Sequence, residues 1–267
     1  IKTNNEKMEK FWNSNLDLNE GKTVVEIIKG INVGEIKGLY VQGENPAMSD
    51  PDLVNTRKGL AKLDHLVVQD IFMTETAWFA DVILPASAHA EKLGTYTNTN
   101  RQVQIGRDVV DPPKGVKQDW WIIQEIAKRI GLDWNYTSPK EIFHEMKLIM
   151  PSLNNISWER LEKESYVTYP VKSENVLGED IIFHDGFPTP NKLGKIVPVD
   201  LINPNDQLNS DFPLILSTGR LLEHWHTGTM TRRALILDEL EPVPIIFINE
   251  IDSKFYDLDL TRDVTMK

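Results

Sequence analysis

The chain has 267 residues, enough for one large domain or two smaller ones, and 40% of them are hydrophobic and can fill a core. Its 40 acidic residues outnumber its 29 basic ones, and the net charge of −11 argues against non-specific binding to nucleic acid or to an anionic membrane. No run of residues approaches the roughly 18 apolar residues of a membrane span, and the absence of cysteine excludes thiolate metal sites, cysteine-ligated clusters and disulfides within this chain.

The first part of the chain predicts a parallel sheet. We expect helices at 1–20 and 24–31, a strand at 36–42, a helix at 52–63, a strand at 66–70, a short helix at 74–79 and a strand at 81–84. The strand segments are mostly apolar, as in a parallel sheet covered on both faces. Open sheets of this kind bind ligands at the carboxyl ends of their strands.

The rest of the chain predicts more helices and then β structure. We expect an extended ligand-wrapping loop at 93–107, an amphipathic helix at 119–130, a helix capped by Ser138, a weaker one after Ser157, and irregular chain over 165–211. A buried strand at 212–217 would open a β-rich region. The expected fold class is therefore α/β, with one domain over residues 1–205 and a second over 206–267.

Three candidate site residues lie at or just after the ends of predicted strands. Asn45 could bond a nucleotide, although chemistry alone favours an ordinary turn for a segment of Gly, Asn and Pro. Gln69 and Asp70 end the second strand, where a carboxylate could accept hydrogen bonds from N1–H and the amine of guanine. The alternative for Asp70 is a helix cap, a surface charge or a contact to a ribose.

Basic and acidic candidates lie further along the chain. Lys92 directly precedes the predicted loop and Arg101 lies within it, and both could pair with a diphosphate or could simply be solvated. Asp119 is placed to cap the amphipathic helix, or alternatively to supply a second carboxylate to a ligand.

The segment from Thr218 to Arg233 is dense in hydrogen-bond donors, with two histidines, a tryptophan, three arginines, four threonines and two glycines in sixteen residues. Such a segment suits a large, polar, anionic ligand, because arginine and backbone N–H groups pair with phosphate oxygens. A solvated loop is the plain alternative. We expect no metal ligation by its histidines, since no third ligand is near in the sequence.

Four segments, taken in order, resemble molybdopterin oxidoreductases of the formate dehydrogenase alpha subunit and periplasmic nitrate reductase type. They are 43–52 (GENPAMSDPD), 67–77 (VVQDIFMTETA), 80–99 (with ADVILPA and EKLGTYTNT) and 218–233 (TGRLLEHWHTGTMTRR). The GENP and GTYTNT wording favours a formate dehydrogenase. The resemblance implies contacts to a molybdopterin guanine dinucleotide from Asn45, Gln69, Asp70, Lys92 and Asp119, and from Thr218, Gly219, Arg220, Leu221, Leu222, Glu223, His224, Trp225, His226 and Thr227.

The resemblance also implies a reaction and a wider context. The expected activity of the whole protein is oxidation of formate to carbon dioxide at molybdenum or tungsten held by two such cofactors, with a 4Fe–4S cluster outside this chain. Residues 206–267 would begin a double-psi β-barrel. The alternatives are part of a nitrate reductase, or a non-catalytic binding or scaffold module.

We further expect this chain to be one piece of the subunit and inactive alone, because the family's metal and cluster ligands are not in it. Its expected partners are the rest of that subunit and iron–sulfur or other electron-transfer subunits, and its open strand edges could also promote self-association. The expected location is the cytoplasm, with the periplasm as the alternative.

Overall fold

The computed structural model describes residues 2–204, 207–259 and 261–264, and the chain divides into two compact units, Ile1–Gln207 and Leu208–Lys267. The domain boundary expected between residues 205 and 206 falls outside the described residues, and the identities of the two domains remain predictions. No helix of the described residues is both long enough and apolar enough to cross a bilayer.

A parallel three-stranded sheet forms the first half of the first unit. Helices α1 (Lys2–Trp12) and α2 (Val24–Asn32) precede strand β1 (Gly38–Gln42), and helices α3 (Pro46–Ser49) and α4 (Leu53–Leu60) connect it to β2 (His65–Asp70). A short 3-10 helix, Ala77–Phe79, leads to β3 (Val82–Pro85). The strand order is β1-β2-β3, so β2 is central, and the expected alternation of strands and helices is confirmed.

The hydrophobic core of this sheet lies on one of its faces. Val41 of β1 and Leu66 and Val68 of β2 are buried there, together with Ala47 of α3 and Leu60 of α4. The expectation that every strand is covered on both faces is wrong for β1 and β3. Tyr40 of β1 is 40% exposed and Val82 and Ile83 of β3 are 39% and 38% exposed, because both strands are edge strands among the described residues.

A second, antiparallel sheet corrects the expectation of an extended loop at 93–107. Strands β4 (Gly94–Thr97) and β5 (Gln102–Gly106) form a hairpin, and β5 also pairs with β6 (Tyr166–Thr168). The Asn98 side-chain oxygen accepts from the Gln102 amide at 3.0 Å, and Arg101 takes a φ of 63° in the turn. β-Branched and aromatic residues in the flanking segments favour strands once they have a partner.

Three helices complete the first unit close to their predicted positions. They are α5 (Asp119–Arg129), α6 (Pro139–Ile149) and α7 (Trp158–Glu164). Ser138 and Ser157 cap α6 and α7 by accepting from backbone amides, as expected. The second core lies between these two helices and the hairpin, and includes Val103, Phe143, Trp158, Leu161 and Val167.

The second unit is not β-rich in its described part. It contains a 3-10 helix at Thr231–Arg233 and helices α8 (Leu235–Leu240) and α9 (Glu250–Phe255), and residues 207–259 and 261–264 form no strand. The predicted strand at 212–217 is therefore wrong. Leu214 and Ile215 are 51% and 79% exposed, because a strand needs a neighbour to satisfy its backbone and none pairs with it here. The double-psi barrel is not confirmed and remains a prediction.

Two separate segments donate hydrogen bonds to Glu145 of α6. The indole nitrogen of Trp12 in α1 donates to one carboxylate oxygen at 2.8 Å, and the hydroxyl of Tyr136 donates to the other at 2.5 Å. The Gln124 side chain of α5 exchanges two hydrogen bonds with the backbone of Tyr136. Burial raises the pKa of Tyr136 to about 12, with the Glu145 hydrogen bond and charge adding to the effect.

We expect this tyrosine to make stability fall at high pH. Its pKa is raised above the value of the unfolded chain, so the stabilisation is complete below about pH 10 and is lost as the pH rises towards about 12. Ultraviolet titration should show the phenol of Tyr136 ionising late, and Tyr136→Phe should lower the amplitude of the late phase by one phenol and flatten the pH dependence of unfolding. A late phase of unchanged amplitude after the substitution would contradict the assignment.

Candidate functional site

The carboxyl edge of the parallel sheet carries a buried amide, that of Gln69 in β2. Its residue is 0% exposed. Its side-chain oxygen accepts from the hydroxyl of Tyr40 in β1, and its side-chain nitrogen donates to Asp119 Oδ1 at 2.7 Å. Both ends of the amide are therefore held.

Asp119 connects this amide to Lys92. The ammonium group of Lys92, just before β4, bonds Asp119 Oδ2, and the two side chains are 24% and 28% exposed. The carboxylate lies in the first turn of α5, where the helix dipole favours negative charge. The expected N-cap role of Asp119 is wrong, because Gln118 occupies that position and the Asp119 side chain bonds Gln69 and Lys92 instead.

Three sequence-predicted residues are thus brought together from distant parts of the chain. We call the connected side chains of Tyr40, Gln69, Asp119 and Lys92 the edge network. Tyr40 was missed by sequence reasoning, although strand periodicity could have suggested it, since it shares a sheet face with Gln69. Burial and then the charge of Asp119 raise the pKa of Tyr40, so its phenol stays protonated and can donate.

Beside the edge network lies a hydroxyl without a partner. Ser87, just after β3, is 1% exposed, and its Oγ is the buried side-chain polar atom that lacks a hydrogen bond within the described ranges. Its amide donates to the Lys117 carbonyl at 3.0 Å, which places Ser87 beside the residues that begin α5. Buried polar atoms are nearly always paired in folded proteins, so this one calls for a partner.

Asp70 caps the turn that follows β2. Its Oδ1 accepts from the backbone amides of Ile71 at 2.7 Å and Phe72 at 3.1 Å. The helix cap considered from sequence is wrong, because no helix begins directly after Asp70 and its carboxylate caps a turn instead. Guanine recognition by Asp70 remains a prediction.

Asn45 joins two loops at the same edge. It follows Gly43, which takes a φ of 63°, and is 5% exposed. Its Nδ2 donates to Glu75 at 2.7 Å, and its Oδ1 accepts from the backbone amide and hydroxyl of Thr76 at 3.0 and 2.8 Å. These bonds give Asn45 a structural role, whereas its contact to a ligand remains a prediction.

Arg101 is engaged within the protein. Its guanidinium donates to the backbone carbonyls of Tyr169, Glu179 and Asp180. The three bonds connect the hairpin turn to the chain after β6. They give Arg101 a structural role that requires no diphosphate.

The segment 218–227 lies in the second unit, contains neither helix nor strand, and turns at His226 and Thr227. His224 bonds the Thr231 hydroxyl at 3.2 Å and the Glu241 carbonyl at 2.8 Å, while the φ of His226 is 51°. Trp225 is 61% exposed and packs edge-on against His226, with ring centroids 4.6 Å apart. The described residues contain no cluster of three or more potential metal ligands.

The sequence matches known proteins over nearly its whole length. A family model for molybdopterin oxidoreductases matches residues 1–129. The F420-dependent formate dehydrogenase subunit alpha of Methanocaldococcus jannaschii is 44% identical over 250 residues, which cover 92% of this chain and 37% of that relative. The F420-dependent formate dehydrogenase 2 subunit alpha of Methanococcus maripaludis is 39% identical over 259 residues, covering 95% of this chain and 36% of that relative.

The chain therefore spans about a third of the length of these curated relatives. Among solved structures, the acetylene hydratase from Pelobacter acetylenicus aligns with 63% of this chain and 24% of its own, at 22% identity and a TM-score of 0.47.

Proposed function

We propose that this chain, which belongs to the molybdopterin oxidoreductase family, is the part of a formate dehydrogenase alpha subunit that binds the guanine dinucleotide arm of its cofactor. The observation that carries the proposal is the edge network, because it gathers Gln69, Lys92 and Asp119 at the carboxyl edge of a parallel sheet. That edge is where open α/β sheets bind nucleotides. The names of the relatives favour formate over nitrate as the substrate of the whole protein.

The residues present fit such a ligand. The unpartnered Ser87 hydroxyl lies buried beside the start of α5 and could bond a polar ligand atom. An ammonium has three donors, so Lys92 keeps donors for phosphate oxygens while it is paired with Asp119. Carboxylates such as Asp70 and Asp119 accept from the N–H donors on the guanine edge.

The chain's own contribution would be binding and orientation. When bound, a molybdopterin cofactor with molybdenum or tungsten supplies the two-electron redox chemistry. The edge network is partly open, with Lys92 and Asp119 about a quarter exposed, so a ligand can reach both charges. Gln69 is fully buried, and its side-chain nitrogen donates the hydrogen bond that holds Asp119 in position.

We propose that the segment 218–227 of the second unit binds a pterin, as the resemblance to the family implies. The turn is held by the two hydrogen bonds of His224. Arg220, Trp225 and His226 lie on its surface and offer charge, a ring face and further donors. The beginning of a double-psi barrel at 206–267 belongs to this proposal.

For the whole protein we propose a 4Fe–4S cluster and electron-transfer subunits, in a cytoplasmic enzyme. Both relatives are named as alpha subunits, which supports assembly with other chains. The proposal assigns cofactor binding, and no redox turnover, to the 267 residues present here.

Titration of the chain with GMP and with AMP, followed by NMR, tests the proposal. We expect tighter binding of GMP, since adenine has no N1–H and no amine at C2 to meet a carboxylate. Asp70→Asn should reduce that preference roughly tenfold, because an amide turns a donor towards a guanine donor. The substituted amide keeps an acceptor for the Ile71 and Phe72 amides, so the fold should survive.

Asp64→Asn is the matched control, since Asp64 is exposed just before the other end of β2. It should leave both affinities unchanged. Equal affinity of the wild type for GMP and AMP would overturn the proposal. A preference that survives Asp70→Asn would instead limit Asp70 to its turn-capping role.

A further inference from the structure

We infer that Tyr40 is a positioning residue, which orients the Gln69 amide and through it the Asp119 carboxylate that faces the ligand. This inference rests on the proposed function of the edge network. It assigns Tyr40 no contact with the ligand itself.

The sheet register brings Tyr40 and Gln69 together. Tyr40 pairs with Val67, and Gln42 pairs with Gln69, in the parallel ladder between β1 and β2. Because side chains two residues apart in a strand share a face, Tyr40 and Gln69 lie on the same face of the sheet. The tyrosine side chain spans the diagonal towards the carboxyl edge and reaches the Gln69 oxygen.

The chemistry of the partners gives this chain of hydrogen bonds one direction. The Asp119 carboxylate only accepts, so Gln69 must present its amino group to it, at 2.7 Å. The Gln69 oxygen then faces Tyr40 and must receive the phenolic proton. Lys92 donates to the second oxygen of Asp119, so the carboxylate is held from two sides.

Removal of the phenolic hydroxyl would release the amide. In Tyr40→Phe the Gln69 oxygen loses its donor at a position with no exposure to solvent. An unpaired buried acceptor raises the free energy of the folded state, so the hydrogen bond that fixed the orientation of the amide no longer opposes its rotation. A rotated amide turns its oxygen towards Asp119, and the two acceptors repel each other.

The first measurement follows Gln69 itself and needs no ligand. In the wild type, the two side-chain amide protons of Gln69 should give separate NMR signals that exchange slowly with water. In Tyr40→Phe the signals should shift and exchange at least roughly tenfold faster, as expected for one lost buried hydrogen bond. Fast exchange already in the wild type, or slow exchange retained in the variant, would overturn the inference.

The second measurement uses GMP as the probe and a double-substitution cycle. Tyr40→Phe should weaken GMP binding about threefold to tenfold, whereas in a Gln69→Leu background it should change binding less than twofold. Additive losses would show that Tyr40 acts independently of Gln69 and would overturn the inference. Tyr166→Phe is the control, because Tyr166 is half-exposed on β6 in the other sheet.

The two measurements separate this inference from the proposed function. If the wild type binds no GMP, the proposed function fails, yet the Gln69 signals still decide the role of Tyr40. If the wild type binds GMP and Tyr40→Phe changes neither the signals nor the affinity, only the inference about Tyr40 fails.

Discussion

Asn45→Ala is expected to lower the free energy of unfolding by about 2–4 kcal/mol. The substitution leaves the backbone amide and the hydroxyl of Thr76 without their shared acceptor, and Thr76 is fully buried. A buried donor without a partner costs about 1–3 kcal/mol. For a domain of this size, the melting temperature should fall by roughly 5–15 °C.

The matched control is Asn135→Ala, since Asn135 is exposed and its side chain bonds only the neighbouring Asp133. It should change the melting temperature by no more than about 1–2 °C, as is usual for surface positions. Asn45→Asp should be at least as damaging as Asn45→Ala, because it sets a second carboxylate against Glu75 at the 2.7 Å contact. An unchanged melting temperature in Asn45→Ala would contradict the structural role and favour a ligand contact alone.

The parallel sheet and its helices could be predicted because local and tertiary preferences agree there. Val41, Leu66 and Val68 are apolar and are buried in neighbouring strands, as the apolar strand segments predict. The helices after Ser138 and Ser157 begin with a capping serine, which marks their first turns in the sequence. Such elements need no knowledge of distant partners.

The hairpin and the second unit could not be predicted in the same way. Polar residues between β4 and β5 suggest a loop, and the pairing with β6 depends on residues some sixty positions later. The second error is the reverse, a predicted strand that does not form. The apolar run 212–217 predicts a strand, yet an apolar run forms a strand only when another strand pairs with it. Both errors come from pairing, which local sequence does not encode.

The candidate site, too, could be predicted from the sequence only in part. Chemistry offered ligand roles for Lys92 and Asp119 as alternatives, the family resemblance placed both with Gln69 on one ligand, and the direct contacts among the three were not expected. Chemistry alone favoured a capping role for Asp119, whereas the helix begins one residue earlier than that role requires. Tyr40 carried no motif, and its part in the network appears only when the β1–β2 register is known.

Asp119→Leu is expected to produce the largest loss of nucleotide binding, about tenfold to a hundredfold in the affinity for GMP. Three effects add in the same direction. The ligand loses a carboxylate partner, Lys92 loses the carboxylate that holds it in position, and the buried amino group of Gln69 loses its acceptor. An unpaired buried donor and a lost contact to the ligand each cost on the order of 1–3 kcal/mol.

Simple electrostatics predicts the opposite sign, which makes the substitution decisive. Removing a negative charge near a bound phosphate should strengthen the binding of an anion if Asp119 is merely a nearby charge. Asp111→Leu removes the same charge from an exposed position before α5 and measures this general effect. We expect it to leave GMP affinity unchanged or slightly higher, while titration calorimetry shows the loss for Asp119→Leu.

Stability must be measured alongside binding, because Asp119 also lies in the first turn of α5. We expect Asp119→Leu to cost only about 1–3 kcal/mol of stability, so the variant should remain folded at 25 °C with an unchanged far-ultraviolet circular dichroism spectrum. A folded variant that binds GMP as tightly as the Asp111→Leu control would show that Asp119 supports the fold without contributing to the ligand site. A folded variant with the expected loss would show that the edge network binds through its carboxylate, with Lys92 and Gln69 held in place by it.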